Sequence, residues 1–364
     1  MSPSKITSPD DAALEELCDS LAELARQTDE TGDWPAKQLQ LCGQYGVFQW
    51  FIDRAWGGQA WDEQAIVRGY LALSSACLTT TFVITQYTGA CKRIASSGNR
   101  ELQELLLPNL ANGKHFATVG VSHLTTSRRH LARPVLRAER VPKGFLLDGY
   151  SPWVTGAIHA QYVVLGATMM LDETPTEEQL LVALPTDLPS VLTPEPARLV
   201  GVSASHTGEL RLDHVFVEDR WVLAGPVENV MASGAGAGTG GLQTSTLALG
   251  LAQAAVRLLE TEAAQREDLL APLQSLQQDW QEVRDTLFAL VGGEPACSSE
   301  QLRQRANSLA LRAAQAALAA AKGTGYVVGH PAGRLCREAL FFLVWSCPQP
   351  VVSANLCELA GISE

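Results

Sequence analysis

A few groups of residues have the types and spacing to do chemistry. Gly236-Ala237-Gly238-Thr239-Gly240-Gly241 follows the G-x-G-x-x-G spacing, and a long helical stretch comes after it. Glycines so placed let backbone amides approach a pyrophosphate, and Glu260 and Glu262 stand about 20 residues on, where a ribose hydroxyl would be held. That fingerprint must follow a buried strand inside a βαβ unit. Val227-Glu228-Asn229-Val230 does not read as such a strand and no strand–helix alternation follows, so the segment reads as a Gly/Ala linker. Trp153 and Thr155 flank one position of an extended segment, which puts a large ring and a hydroxyl on one face. Ser346 and Cys347 set a hydroxyl beside a thiol, but a reactive thiol needs a cationic neighbour. His159, His206 and His214 lack metal-ligand spacing and read as surface or capping residues.

The elements that must position these groups fall into three stretches. Leu14, Leu17, Leu21 and Leu24 recur at helical spacing, with Ser8 or Asp10 as cap. Helical texture resumes at Ala36–Tyr45, runs from Asp62 through Ile94, and returns from Arg100 to Leu110. Between about 115 and 225 the pattern becomes short apolar runs between turn residues. Val135–Glu139 and Phe145–Tyr150 flank Pro142-Lys143-Gly144 as a hairpin, and Glu209–Asp213 alternates as a half-buried strand does. Beyond 243 it is helical again, with Leu247, Leu251, Ala254 and Leu258 on one stripe. The fold class is therefore α+β. An N-terminal helical domain (1–114) is followed by an antiparallel β-barrel or sandwich domain (115–228) and a C-terminal four-helix bundle (229–364). Five glycines within residues 233–241 mark the last boundary.

Composition narrows the function. The net charge of −12 disfavours nucleic acid and anionic membrane surfaces. No run of about 20 apolar residues spans a bilayer. Eight scattered cysteines without a C-x-x-C pair read as reduced thiols of a cytoplasmic chain rather than a metal site. Charged residues are only 18%, which suits a surface partly buried against other subunits.

The order of these stretches and their local text resemble the acyl-CoA dehydrogenase superfamily. Arg54-Ala55-Trp56-Gly57-Gly58, Gly98-Asn99-Arg100 to Leu107-Pro108, and Leu147-Asp148-Gly149 with Trp153-Val154-Thr155 are similar to its motifs. So are Gly250 to Ala255, Gln265-Arg266, Gly323-Thr324-Gly325-Tyr326 and Arg334 to Ala339. The resemblance implies a flavoprotein binding FAD, or FMN in its place, as a homodimer or homotetramer. It further implies that Trp153 covers the isoalloxazine and Thr155 reaches its N5 edge. Arg266 would reach the FAD pyrophosphate across a subunit interface, a task suited to its bidentate fork. Leu269, Gln277 and Gly323 match further dinucleotide contacts. Ser122, His123 and Arg129 fall in or beside the phosphate-loop segment, where Arg128, Arg129 and His130 replace the family's small residues.

The departures matter as much. The family's chemistry needs a carboxylate that removes the proton α to a thioester. Counting from Arg337, its usual place is Ser346, and the alternative place, Gly238 to Leu242, holds no acid. The CoA-binding "D..R" element is missing from the same stretch, and Pro348 and Pro350 remove backbone donors. The expectation is a flavin-dependent oxidoreductase that is not a standard acyl-CoA dehydrogenase, of monooxygenase or oxidase type, acting on a small hydrophobic substrate. Its alternative is a catalytically silent scaffold or binding protein with weak or no FAD binding.

Overall fold

The computed structural model describes residues 3–125, 134–232 and 242–362. Five helices open the chain: α1 (Ala12–Thr31), α2 (Ala36–Gln44), α3 (Glu63–Ala76), α4 (Leu78–Ala95) and α5 (Arg100–Ala111). In α1 the buried stripe is Leu14, Leu17, Leu21, Ala25 and Thr28, so Leu24 stands beside the seam rather than in it. The cap position is Asp11, not Ser8 or Asp10. Its carboxylate receives the amides of Thr7 and Ser8, while Asp10 turns to Arg68. The single helix expected from Asp62 through Ile94 is two. Cys77 is extended (φ −152°, ψ 102°): its amide closes α3 on the Leu73 carbonyl, and its carbonyl opens α4 by accepting from the Thr81 amide and hydroxyl.

The middle stretch builds β1 (Ala117–Gly120), α6 (Ser122–Thr125), β2 (Leu136–Val141), β3 (Gly144–Thr155), β4 (Tyr162–Leu171), β5 (Thr174–Pro185), β6 (Val191–Leu192), β7 (Thr207–Glu218) and β8 (Val222–Glu228). The β2–β3 hairpin turns at Pro142-Lys143, as expected. The sheet is mixed rather than purely antiparallel. Its order is β6-β7-β3-β2-β4-β5-β8, with β2 parallel to β4 and β1 also parallel to β4. β1 and β2 share one edge of β4 end to end, β1 along Tyr162–Leu165 and β2 along Thr168–Met170. A strand does precede the glycine-rich segment, since β8 includes Val227 and Glu228. It runs antiparallel to β5 with Val227 exposed, so it is not the buried parallel strand a dinucleotide fingerprint requires. Gly236–Gly241 itself lies outside the described residues.

The chain closes with α7 (Leu242–Ala263), α8 (Leu270–Val291), α9 (Ser299–Gly325), α10 (Pro331–Leu340) and α11 (Gln349–Leu359). The buried seam of α7 runs through Leu247, Leu251, Ala255 and Leu259, with Ala254 and Leu258 half-buried beside it. A capping box of Ser298 and Gln301 starts α9. Pro348 and Pro350 open α11, where a missing N–H is harmless. Helix α7 lies directly on α3: a Cβ on Gly250 would fall 1.8 Å from Ser74 Oγ, so only glycine permits this approach. That contact ties the last helices to the first and fixes the walls of the cavity between them.

Candidate active site

Helices α4, α6, α7 and α10 and the segment after α10 enclose, with the end of β3, a cavity of about 850 Å³. Strand alternation delivers Trp153 and Thr155 to it together while Val154, between them, is fully buried on the other face. A register shift against β7 between Ser151 and Val154 lifts Trp153 out, leaving it 48% exposed. Thr155 is buried, its hydroxyl 2.9 Å from that of Thr207, which lies 2.8 Å from Ser205 Oγ. Ser122, the first residue of α6, lines the same cavity. Its hydroxyl is buried without a hydrogen-bond partner among the described residues.

Ser346 stands in the cavity wall as well, with φ +45°. The segment carrying it is held by α9. Arg303 Nη2 donates to the Trp345 carbonyl (3.0 Å), and Asn307, which accepts from Arg303 Nε (2.9 Å), donates to the Phe342 carbonyl (3.0 Å). Arg303 is 1% exposed, and burial lowers its guanidinium to about 10. The Trp345 indole stacks on Phe341 (5.0 Å between centroids) and meets Phe82 edge-on (4.9 Å), so the wall beside Ser346 is aromatic. Cys347 does have a cationic neighbour in Arg303, yet burial outweighs it and pushes the thiol up, away from a reactive thiolate.

The remaining expected residues lie elsewhere. His123 is buried against β4. Its Nε2 lies 2.7 Å from the Gly166 carbonyl, which can only accept, so Nε2 carries the proton, and Nδ1 is without a partner among the described residues. Burial depresses its basicity. Arg129, with Arg128 and His130, lies outside the described residues. Arg266 donates to the Ala320 carbonyl (2.6 Å) and pairs with Asp268 (3.2 Å). That seats it beside the end of α9, where a Cβ on Gly323 would meet nothing within 4 Å. Leu269 packs against the core and Gln277 is half-buried on α8. Arg266, Leu269, Gln277 and Gly323 all stand apart from the cavity lining of their own chain.

Two arrangements were not legible as sites. On α4, Phe82, Thr85, Gln86, Gly89, Lys92 and Arg93 recur every three or four residues and form one cavity wall; that spacing was the available signal. His159 and His206 are half-buried, and His206 caps the end of α1. The imidazole of His159 stacks on Trp34 (4.2 Å, 20°), its Nε2 lies 2.9 Å from His206 Nδ1, and His206 Nε2 lies 3.1 Å from the Gly32 carbonyl. His214 is exposed and bonds to Asp213 (2.9 Å). With Asp148 these two bring potential ligand atoms within 4.8 Å of one another, but Asp148 already pairs with Arg137.

The cavity suits a flavin. Trp153 offers a broad apolar face, Thr155 and Ser122 offer hydroxyls beside it, and the orphaned Ser122 Oγ calls for a polar partner that the described residues do not supply. The architecture, three stretches around such a cavity, is that of the acyl-CoA dehydrogenases, and the comparisons agree. The acyl-CoA dehydrogenase N-terminal domain matches residues 10–114. The probable acyl-CoA dehydrogenase YngJ of Bacillus subtilis (strain 168) is 22% identical over 340 residues, covering 88% of each chain. Butyryl-CoA dehydrogenase from Megasphaera elsdenii superposes with a TM-score of 0.81 at 16% identity, over 96% of this chain and 97% of that one. KijD3, solved with FMN and a dTDP-linked amino keto sugar, superposes with a TM-score of 0.73 at 17% identity, over 97% and 93%. Residues 10–114 thus carry the acyl-CoA dehydrogenase N-terminal domain, and the chain as a whole has the acyl-CoA dehydrogenase fold.

Proposed function

We propose that this chain is a flavin-dependent oxidoreductase that does not perform the usual α,β-dehydrogenation of acyl-CoA and works instead as an oxidase- or monooxygenase-type relative. The observation that carries this is the composition of one cavity: Trp153, Thr155 and Ser122 stand together as a flavin would need them, and Ser346 and Trp345 line it with no carboxylate beside them among the described lining residues. Trp153, Thr155 and Ser122 would hold the isoalloxazine of FAD or FMN, which when bound supplies hydride acceptance or oxygen activation. Arg266, with Gly323, Gln277 and Leu269, would meet the dinucleotide of a neighbouring copy, which makes the working unit a homodimer or homotetramer.

Of the cavity-lining residues described, Glu63 is the only carboxylate, and it is exposed in the first turn of α3. A serine hydroxyl beside three aromatic rings can orient a substrate by one hydrogen bond and exclude water, but it has no basicity for carbon acids. The test is the flavin spectrum of the purified full chain, followed by oxygen consumption or acyl-CoA turnover. A bound flavin with no acyl-CoA turnover supports the reading. Protein that stays colourless after incubation with FAD and FMN overturns it and favours a silent scaffold.

A further inference from the structure

We infer that two glutamines of the cavity, Gln86 and Gln243, are fixed as hydrogen-bond acceptors, so that the substrate is an aromatic molecule carrying an N–H or O–H donor. This rests on the reading of the cavity as the active site and adds the chemical class of its occupant.

Each glutamine is oriented by a relay that ends on a helix carbonyl. On α4 the Thr85 hydroxyl lies 2.6 Å from the Phe82 carbonyl, which can only accept, so Thr85 donates to it. The Thr85 oxygen is then left to accept, and Gln86 Nε2 donates to it at 3.0 Å. The second relay is longer. The Thr88 hydroxyl donates to the Ile84 carbonyl (2.9 Å) and accepts from the Tyr70 hydroxyl (2.8 Å). Tyr70, on α3, is buried, and burial raises its phenol, so it keeps the proton that it gives to Thr88. Its oxygen is left to accept, and the side chain bonded to it is that of Gln243, in the first turn of α7. Gln243 therefore also offers its Nε2. Turning either amide over would set two acceptor oxygens against each other.

Both nitrogens are committed to the helices, and neither Oε1 has a hydrogen-bond partner among the described residues. Both glutamines are half-buried and line the cavity. Gln86 follows Phe82 by one helical turn, so amide and ring share one stripe of wall, and Phe341 and Trp345 meet that ring edge-on. The charged groups of the wall do not serve the same end. Glu63 and Lys92 are exposed, Arg93 donates to the Gly89 carbonyl, and Arg337 pairs with Asp29. An acceptor oxygen beside aromatic rings loses its water when the cavity fills, and only a ligand with a donor restores that bond. The acyl chain of a thioester has no such donor. A phenol, an indole or an aryl amide has one.

The probes are indole and benzofuran, which match in shape and differ in an N–H donor against an ether oxygen. Their binding to the full chain is measured by equilibrium dialysis after incubation with FAD. The unmutated protein should bind indole about fivefold more tightly, the size of one neutral hydrogen bond. Gln86→Met combined with Gln243→Met should erase that preference and leave benzofuran within about twofold. Tyr70→Phe frees the Gln243 amide to turn over, and should reduce the preference while benzofuran again stays within about twofold; a role of Tyr70 in packing alone would move both probes alike. Equal affinities in the unmutated protein, failure of indole to bind, or a preference that survives either variant in full, would overturn the inference. Flavin content measured on the same samples separates the two readings: a flavin-loaded chain without donor preference sinks this inference alone, and a donor preference without flavin sinks the proposed function alone.

Discussion

Acidification should loosen the join between α1 and the sheet, and His159 and His206 set the size of the effect. The Gly32 carbonyl can only accept, so His206 Nε2 carries a proton and its Nδ1 accepts from His159 Nε2. That hydrogen bond is worth about 0.5–1.5 kcal/mol. Burial, and then the charge of His206, lower the basicity of His159 below the ordinary 6.5. The unfolded chain therefore holds more protons than the folded one between the depressed value and 6.5. Stability is full above that window, falls as pH drops through it, and levels off below it. Each unit of depression is worth about 1.4 kcal/mol, and solvent at this half-buried ring brings the expected loss to about 1 kcal/mol. For a chain of this size that is about 2 °C in Tm between roughly pH 7.5 and 5.5. His206→Asn is the control, because asparagine tolerates the positive φ (47°) found there. It should cost about 1–2 kcal/mol at neutral pH and flatten the slope. A Tm that is independent of pH in this window, or a slope unchanged in His206→Asn, would refute the reasoning.

Other outcomes follow from the cavity and its supports. Trp153→Ala should lower the flavin-to-protein ratio while moving the melting temperature little, since a half-exposed ring contributes within about 1 kcal/mol to the apo fold; unchanged flavin content in both Trp153→Ala and Arg266→Ala would remove the proposed cofactor site. Arg303→Ala should cost about 2–4 kcal/mol, because it strips the bonds to Trp345 and Asn307 and leaves a buried void, and urea titration reads it directly. Under the proposed function, acyl-CoA turnover with an artificial electron acceptor should be absent at ordinary enzyme rates. Light scattering should return a multiple of 39.0 kDa; a monomer would leave Arg266 without a neighbouring flavin to meet.

The parts that were legible in the sequence depend on short-range periodicity. The shared face of Trp153 and Thr155 needs only the period of a strand. Hidden features depend on contacts between distant residues. His159 and His206 are 47 positions apart and meet only through the β-domain loops, and Trp34 comes from another helix junction. The break at Cys77 was invisible because no Gly or Pro marks it, and it consists of one residue in extended conformation shared by the end of α3 and the start of α4. Parallel pairing of β1 and β2 with β4 could not be read either, since each strand looks the same whichever neighbour it takes.

That shared edge of β4 has a consequence for how the cavity could change over time. β1 and β2 are registered on β4 separately, and at the seam between them His123 caps the Gly166 carbonyl while Leu124 packs where a Cβ on Gly166 would fall, 2.3 Å from its Cδ1. Neither register is inherited from the other, so a substitution that disturbs β2 leaves the β1–β4 pairing, and with it the position of Ser122 in the cavity wall, as it is.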